Sequence, residues 1–148
     1  MNRAVHRVRS AAVAEPAGAS WSNALVIGRE VLLSGMTAHP ASREAAQAGA
    51  ALDGYTQTLL VLGKIQALVE AAGGHIGNIC RLTVYLTDIA DKEQVGRARR
   101  DFFAGQALFP TSTLVAVSAL VFPELRVEIE ADARLDVDLR TVIEVNDV

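Results

Sequence analysis

"LVEAAGGHIGNICRLTVYLTDI", Leu68–Ile89, carries the end of a helix, a glycine stop and a strand in unbroken succession. Upstream, Leu59, Leu62 and Val69, with the parallel row Val61, Ile65, Leu68 and Ala72, make a wide apolar stripe at helical spacing. Asp53 or Thr56 opens that helix, and Gly73-Gly74 closes it, because glycine accepts the left-handed conformation of a C-terminal cap. Downstream the period changes to two. Cys80, Leu82, Val84 and Leu86 take one face, while Arg81, Thr83, Tyr85 and Thr87 take the other, as in a half-buried strand.

Working outward, Asp88 or Asp91 caps a second helix through Phe103, with Val95, Ala98, Phe102 and Phe103 inward and Gly105 at its end. "FPTSTLV", Phe109–Val115, feeds a strand over Thr113–Leu120. "LRVEIEADARL" then alternates Leu125, Val127, Ile129, Ala131, Ala133 and Leu135 with Arg126, Glu128, Glu130, Asp132, Arg134 and Asp136. On the N-terminal side, Ala24–Ile27 and Val31–Ser34 flank Gly28-Arg29 as a hairpin, and Pro40–Ala51 reads as a loop. The order is β-β-α-β-α-β-β: an α+β domain with two helices on one face of a single sheet. Its other face must meet water or another subunit, and Thr83, Tyr85, Ala116 and Ser118 on it suit a subunit contact. The expected organisation is a poorly ordered tail over 1–18, one domain over 19–135 and a C-terminal extension over 136–148.

The bulk numbers narrow the function. A chain of 148 residues fits one domain, and no apolar run approaches the ~20 residues that span a bilayer. A net charge of −3 argues against a nucleic-acid partner, which demands a concentrated basic surface. One cysteine cannot form an intramolecular disulfide, which favours a reducing, cytoplasmic setting. The basic N-terminus with its Ala-Val-Ala lacks the apolar segment of a secretory signal.

Few constellations carry chemistry. Ser112 has no histidine at a recognised spacing and no G-x-S-x-G elbow, so a hydroxyl tidying a strand entry is the economical reading. No H-x-x-x-H, C-x-x-C or carboxylate-rich loop points to a metal. "AGGHIGN" follows a helix instead of opening one, so it is a cap and not a phosphate cradle. His75, just past that helix, suits its dipole as a cation. Cys80 reads as a buried, inert thiol, and Arg97 with Arg100 as a solvated stripe. Glu128 and Glu130 project from one strand face, ~7 Å apart. They suit either a carboxylate that holds a water or an ordinary polar surface beside Arg126 and Arg134.

"VLLSGMT", "LVEAAGGHIGNICRLTVYLTDI", "FP" before a strand and "VEIEADA", in that order, resemble the reactive intermediate deaminase (Rid) family over roughly residues 19–133. The resemblance implies a chorismate-mutase-like fold assembled as a homotrimer, with a central barrel and a small-molecule cleft at each subunit interface. It implies hydrolysis of unstable enamines and imines, such as 2-aminoacrylate, to 2-oxo acids and ammonia, without cofactor or metal. Older endoribonuclease labels in the family gain little support from an acidic chain. Carried over residue by residue, the resemblance assigns Glu128 to orient water and Trp21, Ser34, Gly35, Thr111 and Thr113 to bind substrate. Ser112 stands where deaminating members carry a carboxylate-binding arginine, and Gly96 where an asparagine is common. A hydroxyl donates one hydrogen bond but neutralises nothing, unlike a guanidinium fork.

Three readings follow: a hydrolase of an imine, enamine or related metabolite with altered charge demands; a small-molecule binder without turnover; or a trimer acting through protein contacts. A replacement cation in the cleft separates the first two, and Arg81, Arg126 and His39 are the candidates.

Overall fold

The computed structural model describes residues 2–141 and 145–146. A six-stranded mixed sheet runs β1-β2-β3-β6-β4-β5, where β1 is Val5–Val8, β2 Ala24–Ile27, β3 Glu30–Met36, β4 Ile79–Leu86, β5 Thr111–Ala116 and β6 Val127–Arg134. Only the β4–β5 pair is parallel, because α3 (Lys92–Phe102) carries the chain across between them. Both α3 and the longer α2 (Gly54–Ala71) lie on one face, giving the α+β layering that the sequence periods imply.

The core follows from those periods. Val61, Leu62, Ile65, Leu68 and Val69 of α2 are fully buried against Val84 of β4 and Val127 and Ile129 of β6. Each such side chain contributes about 1.5–3 kcal/mol by leaving water. Asp53 caps α2 by accepting from Thr56 N at 2.8 Å, and Gly73, at φ +92°, ends it. Along β6, Val127, Ile129, Ala131 and Ala133 face the helices; Glu128, Glu130, Asp132 and Arg134 face the other way.

Several expectations need correction. The N-terminal tail is not loose: Val5–Val8 pairs antiparallel with β2, and Val8 and Val13 join the core. An edge strand draws its stability from a neighbour's unpaired backbone groups, which a four-residue sequence pattern does not reveal. The expected loop at Pro40–Ala51 contains a short helix, α1 (Ala41–Gln47), built on strong helix formers. A bulge between Ile79 and Arg81 shifts the register of β4, so Ile79 enters the core and Cys80 is only half-buried. Its burial still pushes the thiol up. Ala116 aligns with Leu86 and belongs to the helix face, not the open one. His75 accepts from Gly77 N through Nδ1 and so caps a 3-10 turn.

Residues 136–141 of the C-terminal extension fold back: Leu139 N donates to Gly77 O, and Asn78 Nδ2 to Val137 O. Arg140 holds the Asp138 carboxyl down at about 2. Residues 142–144 and 147–148 of that extension lie outside the described residues.

One buried amide ties the layers together. Gln57 Nε2 donates to Leu52 O and to Glu124 O, both at 3.0 Å, and Oε1 accepts from Arg126 N at 2.9 Å. Gln57→Leu leaves these backbone groups unpaired in the interior and should cost about 3 kcal/mol. Urea denaturation measures this as a lower midpoint at unchanged slope.

Candidate functional site

Between Leu33 and Met36, β3 advances three residues while β6 advances two, from Ala131 to Ile129. The extra residue is a bulge at Ser34-Gly35, a device that re-aims side chains beside functional sites. Gly35 comes to rest directly under the Glu128 carboxylate: a Cβ there would overlap Glu128 Oε1. Glycine is needed here for close approach, not for a left-handed backbone.

Glu128 opens into a cleft of about 510 Å³. Ser34 and Gly35 form its floor, Trp21 and Val121 its rim, and His39 and Lys64 a polar wall. The walls are held by specific contacts. Ser34 Oγ donates to Ser22 O at 2.6 Å and Ser34 N to Asn23 O at 2.9 Å, which fixes the segment bearing Trp21. Lys64 Nζ donates to Thr37 O and His39 O, both at 2.7 Å. His39 stacks on Phe122 with ring centroids 4.4 Å apart, and the Arg43 guanidinium covers the same ring at 4.0 Å. Arg43 Nε also donates to Glu124 at 2.9 Å.

The electrostatics of this cleft are unbalanced. Burial, then the neighbouring Glu130, pushes the Glu128 carboxyl up, and among the described residues no side chain donates a hydrogen bond to it. Tyr85 Oη donates instead to Glu130, at 2.8 Å. Burial pulls the Lys64 ammonium below the ordinary lysine value. A half-buried carboxylate without a donor is a group left available to a ligand, whereas Lys64, although no acid pairs with it, has two of its three N–H groups on Thr37 O and His39 O.

Of the residues singled out in the sequence, Glu128, Ser34, Gly35 and Trp21 line this one cleft, whereas Ser112, Thr111 and Thr113 lie elsewhere. Ser112 aligns with Leu82, on the helix face, while Glu128 sits on the open face. Glu128 and Ser112 are also two strands and three residues apart, roughly 14 Å by strand geometry. Within one protomer they cannot share a ligand. Thr111 and Thr113 align with Arg81 and Thr83 on the open face, where Thr111 Oγ1 donates to Cys80 O at 3.0 Å.

The candidate replacement cations divide similarly. Arg126 is engaged by Asp91 in a fork at 2.9 and 2.7 Å, and Arg81 lies toward Asp132 at 3.9 Å, in a separate groove. His39 lines the cleft. The arginine that reaches Ser112 is Arg99 of α3, whose Nη1 donates to Ser112 Oγ at 2.5 Å. Sequence reasoning passed over Arg99 because "GRARRDFF" shows a charged stripe without saying which guanidinium crosses to the sheet.

The family model described as Endoribonuclease L-PSP matches residues 12–135. The chain belongs to that family. The 2-iminobutanoate/2-iminopropanoate deaminase of Capra hircus is 34% identical over 90% of this chain and 93% of its own. The Escherichia coli protein TdcF, named as a reactive intermediate deaminase, is 37% identical over 55% of this chain and 63% of its own length. A TdcF structure with bound serine superposes with a TM-score of 0.67 at 28% identity, covering 90% of this chain and 98% of that one. A Pseudomonas aeruginosa protein of unknown function, PA3499, superposes with a TM-score of 0.93 at 62% identity, over 95% of this chain and 99% of that one. The mixed sheet with helices on one face is the fold of these relatives, as the motif order implied.

The raised carboxyl of Glu128 has a signed consequence. A carboxyl whose folded value exceeds its unfolded one favours the fold when protonated, and loses that contribution as pH rises through the folded value. Glu128→Gln should therefore be more stable than wild type at pH 7, with the gap closing below about pH 4. Thermal melts of both proteins across that range measure it.

Proposed function

We propose that this protein hydrolyses the carbon–nitrogen double bond of a small imine, or of an enamine after tautomerisation, with Glu128 handling the water. The observation that carries this reading is the Glu128 carboxylate: half-buried, raised by burial, free of side-chain donors and seated over Gly35 in a ligand-sized cleft. Family membership and the deaminase relatives support the reaction class.

In this mechanism Glu128 accepts a proton from water as the water oxygen bonds to the imine carbon. The substrate enters as the protonated imine, so the π electrons move to its nitrogen and a neutral carbinolamine results with the water's proton on Glu128. The Glu128 carboxyl then delivers that proton to the nitrogen as the carbon–nitrogen bond breaks, and the carbinolamine hydroxyl gives its proton to the departing ammonia, which leaves as ammonium. The carbonyl compound is released with it. A carboxyl shifted toward neutrality suits both the accepting and the delivering step. Gly35 keeps the carboxylate in place, and Trp21 with Phe122 supplies apolar surface that limits competing water. No cofactor or metal enters these steps.

Placement of Ser112 on the opposite sheet face supports a site shared between subunits, and with it the homotrimer. The β5 edge is open to a neighbour: Thr111, Ser112, Thr113, Val115 and Ala116 are all exposed. Because Ser112 brings no charge, hydrolysis of 2-aminoacrylate should be slower than in a relative with arginine at that position. Loss of a charge-assisted contact is worth about 1.5–3 kcal/mol, roughly ten- to hundredfold.

A coupled assay of 2-aminoacrylate and 2-iminobutanoate hydrolysis tests this reading. Glu128→Gln should lower the rate by about 10²–10⁴-fold without loss of fold, and Ser112→Arg should raise the 2-aminoacrylate rate. A wild-type rate equal to that of an arginine-bearing relative would overturn the Ser112 argument. Saturable binding of imines with no turnover would replace the hydrolase by a binder. Light scattering should give three copies per particle, and a monomer would overturn the shared site.

A further inference from the structure

Lys64 stands apart in a chain that otherwise uses arginine for its positive charge. The sequence holds two lysines against twelve arginines: Lys64 in the middle of α2 and Lys92 at the start of α3. Lys92 is exposed, whereas Lys64 is half-buried between the fully buried Leu62 and Ile65 of its helix. Among the described residues no carboxylate lies within salt-bridge distance of Lys64.

Backbone fixes its Nζ instead. Thr37 O and His39 O each accept from it at 2.7 Å, which holds the amine at the wall of the Glu128 cleft. A tetrahedral nitrogen bonded to Cε and donating twice has one direction left, and no further partner meets it among the described residues. In the charged state that direction carries a third N–H without an acceptor; in the neutral state it carries the lone pair. Burial, with no acid to hold the proton, pulls Lys64 below the ordinary lysine value, so the unaccepted proton is the one given up. The other titratable residues lining the cleft are His39 and Glu128, and neither side chain bonds to Nζ. A guanidinium could have made the same two contacts, but it keeps its charge and offers no nucleophile.

We propose that Lys64 is a nucleophilic amine of this cleft and captures aldehydes and ketones as a Schiff base. The nitrogen lone pair bonds to the carbonyl carbon while the π electrons move to oxygen. Nitrogen gives up one proton, oxygen gains one, and a carbinolamine forms. Its carbon–oxygen bond then breaks, the oxygen leaves with a proton from solvent as water, and the nitrogen lone pair closes the double bond of an iminium. Trp21, Val121 and Phe122 offer apolar surface to the substituents on that carbon, and no anion is needed. Where Glu128 hydrolyses an imine, the carbonyl compound is formed in the cleft that holds this amine, and capture becomes reversible inhibition by product. That consequence rests on the hydrolase reading above; capture itself does not, and is measured without turnover.

The experiment is reductive trapping on the assembled wild-type protein with propanal and sodium cyanoborohydride, read by peptide mass mapping. Lys92 serves as the internal control, so the comparison needs no variant. At neutral pH Lys64 should be labelled several-fold faster than Lys92, because a larger share of its amine is neutral. The ratio should shrink above about pH 11, where both amines are neutral. Equal or slower labelling of Lys64 at neutral pH overturns the proposal. A ratio that stays constant across that range also overturns it, since it marks accessibility alone. Lys64→Arg, checked for folding by circular dichroism, should lose the cleft adduct while Lys92 is labelled as before. Capture without hydrolysis of any imine leaves the role of Lys64 standing and overturns the hydrolase reading; hydrolysis without capture does the reverse.

Discussion

The structure depends on a glutamine that behaves like a piece of backbone. Gln57 stands on the buried side of α2, where an apolar residue would be the ordinary choice, and its amide pairs with Leu52 O, Glu124 O and Arg126 N. Glu124 O and Arg126 N are groups that the chain must satisfy as it enters β6 away from water, and Leu52 O lies just before α2. The amide therefore fixes where β6 begins relative to the helix. With a side-chain period of two, a slip of one residue would send Glu128 into the core and Ile129 into the cleft. The Arg126–Asp91 fork, with Asp91 buried at the start of α3, repeats this restraint from the second helix.

Register alone would give a regular sheet. The bulge at Ser34-Gly35 turns it into a site by lowering the β3 backbone beneath Glu128. The walls come from parts of the chain with no regular hydrogen bonding of their own, held by Ser34, Lys64 and the His39–Phe122–Arg43 stack. This division is a common one: a rigid frame sets the reacting group, and irregular segments shape the space around it. The second cavity, at Arg99, is built by a helix against an edge strand, and the sheet itself separates it from Glu128.

Elements with strong periods were legible in the sequence. The α2 stripe and the alternation in β6 record burial directly, because each residue's polarity reports the side it faces. Strand β1 and helix α1 were not legible: one is an edge of four residues and the other has a single buried residue, Ser42. Cys80 was placed wrongly because a bulge changes parity without leaving a compositional trace. Within the site, Glu128, Ser34 and Gly35 could be named because motif order fixed them. The contact of Arg99 with Ser112, in the other cavity, could not be named, since three arginines stand within four positions, and only packing decides which one turns toward β5.

Gly35 has a consequence for how this cleft can diversify. The carboxylate rests on backbone, so its floor has no side chain to exchange, and any Cβ introduced there would collide with Glu128 itself. The rim is different: Trp21 and Val121 are largely exposed and anchor no core. New ligand preferences are therefore open to substitution around the mouth and closed to it underneath. The carboxylate and the mouth above it sit on separate, independently adjustable parts of one small domain.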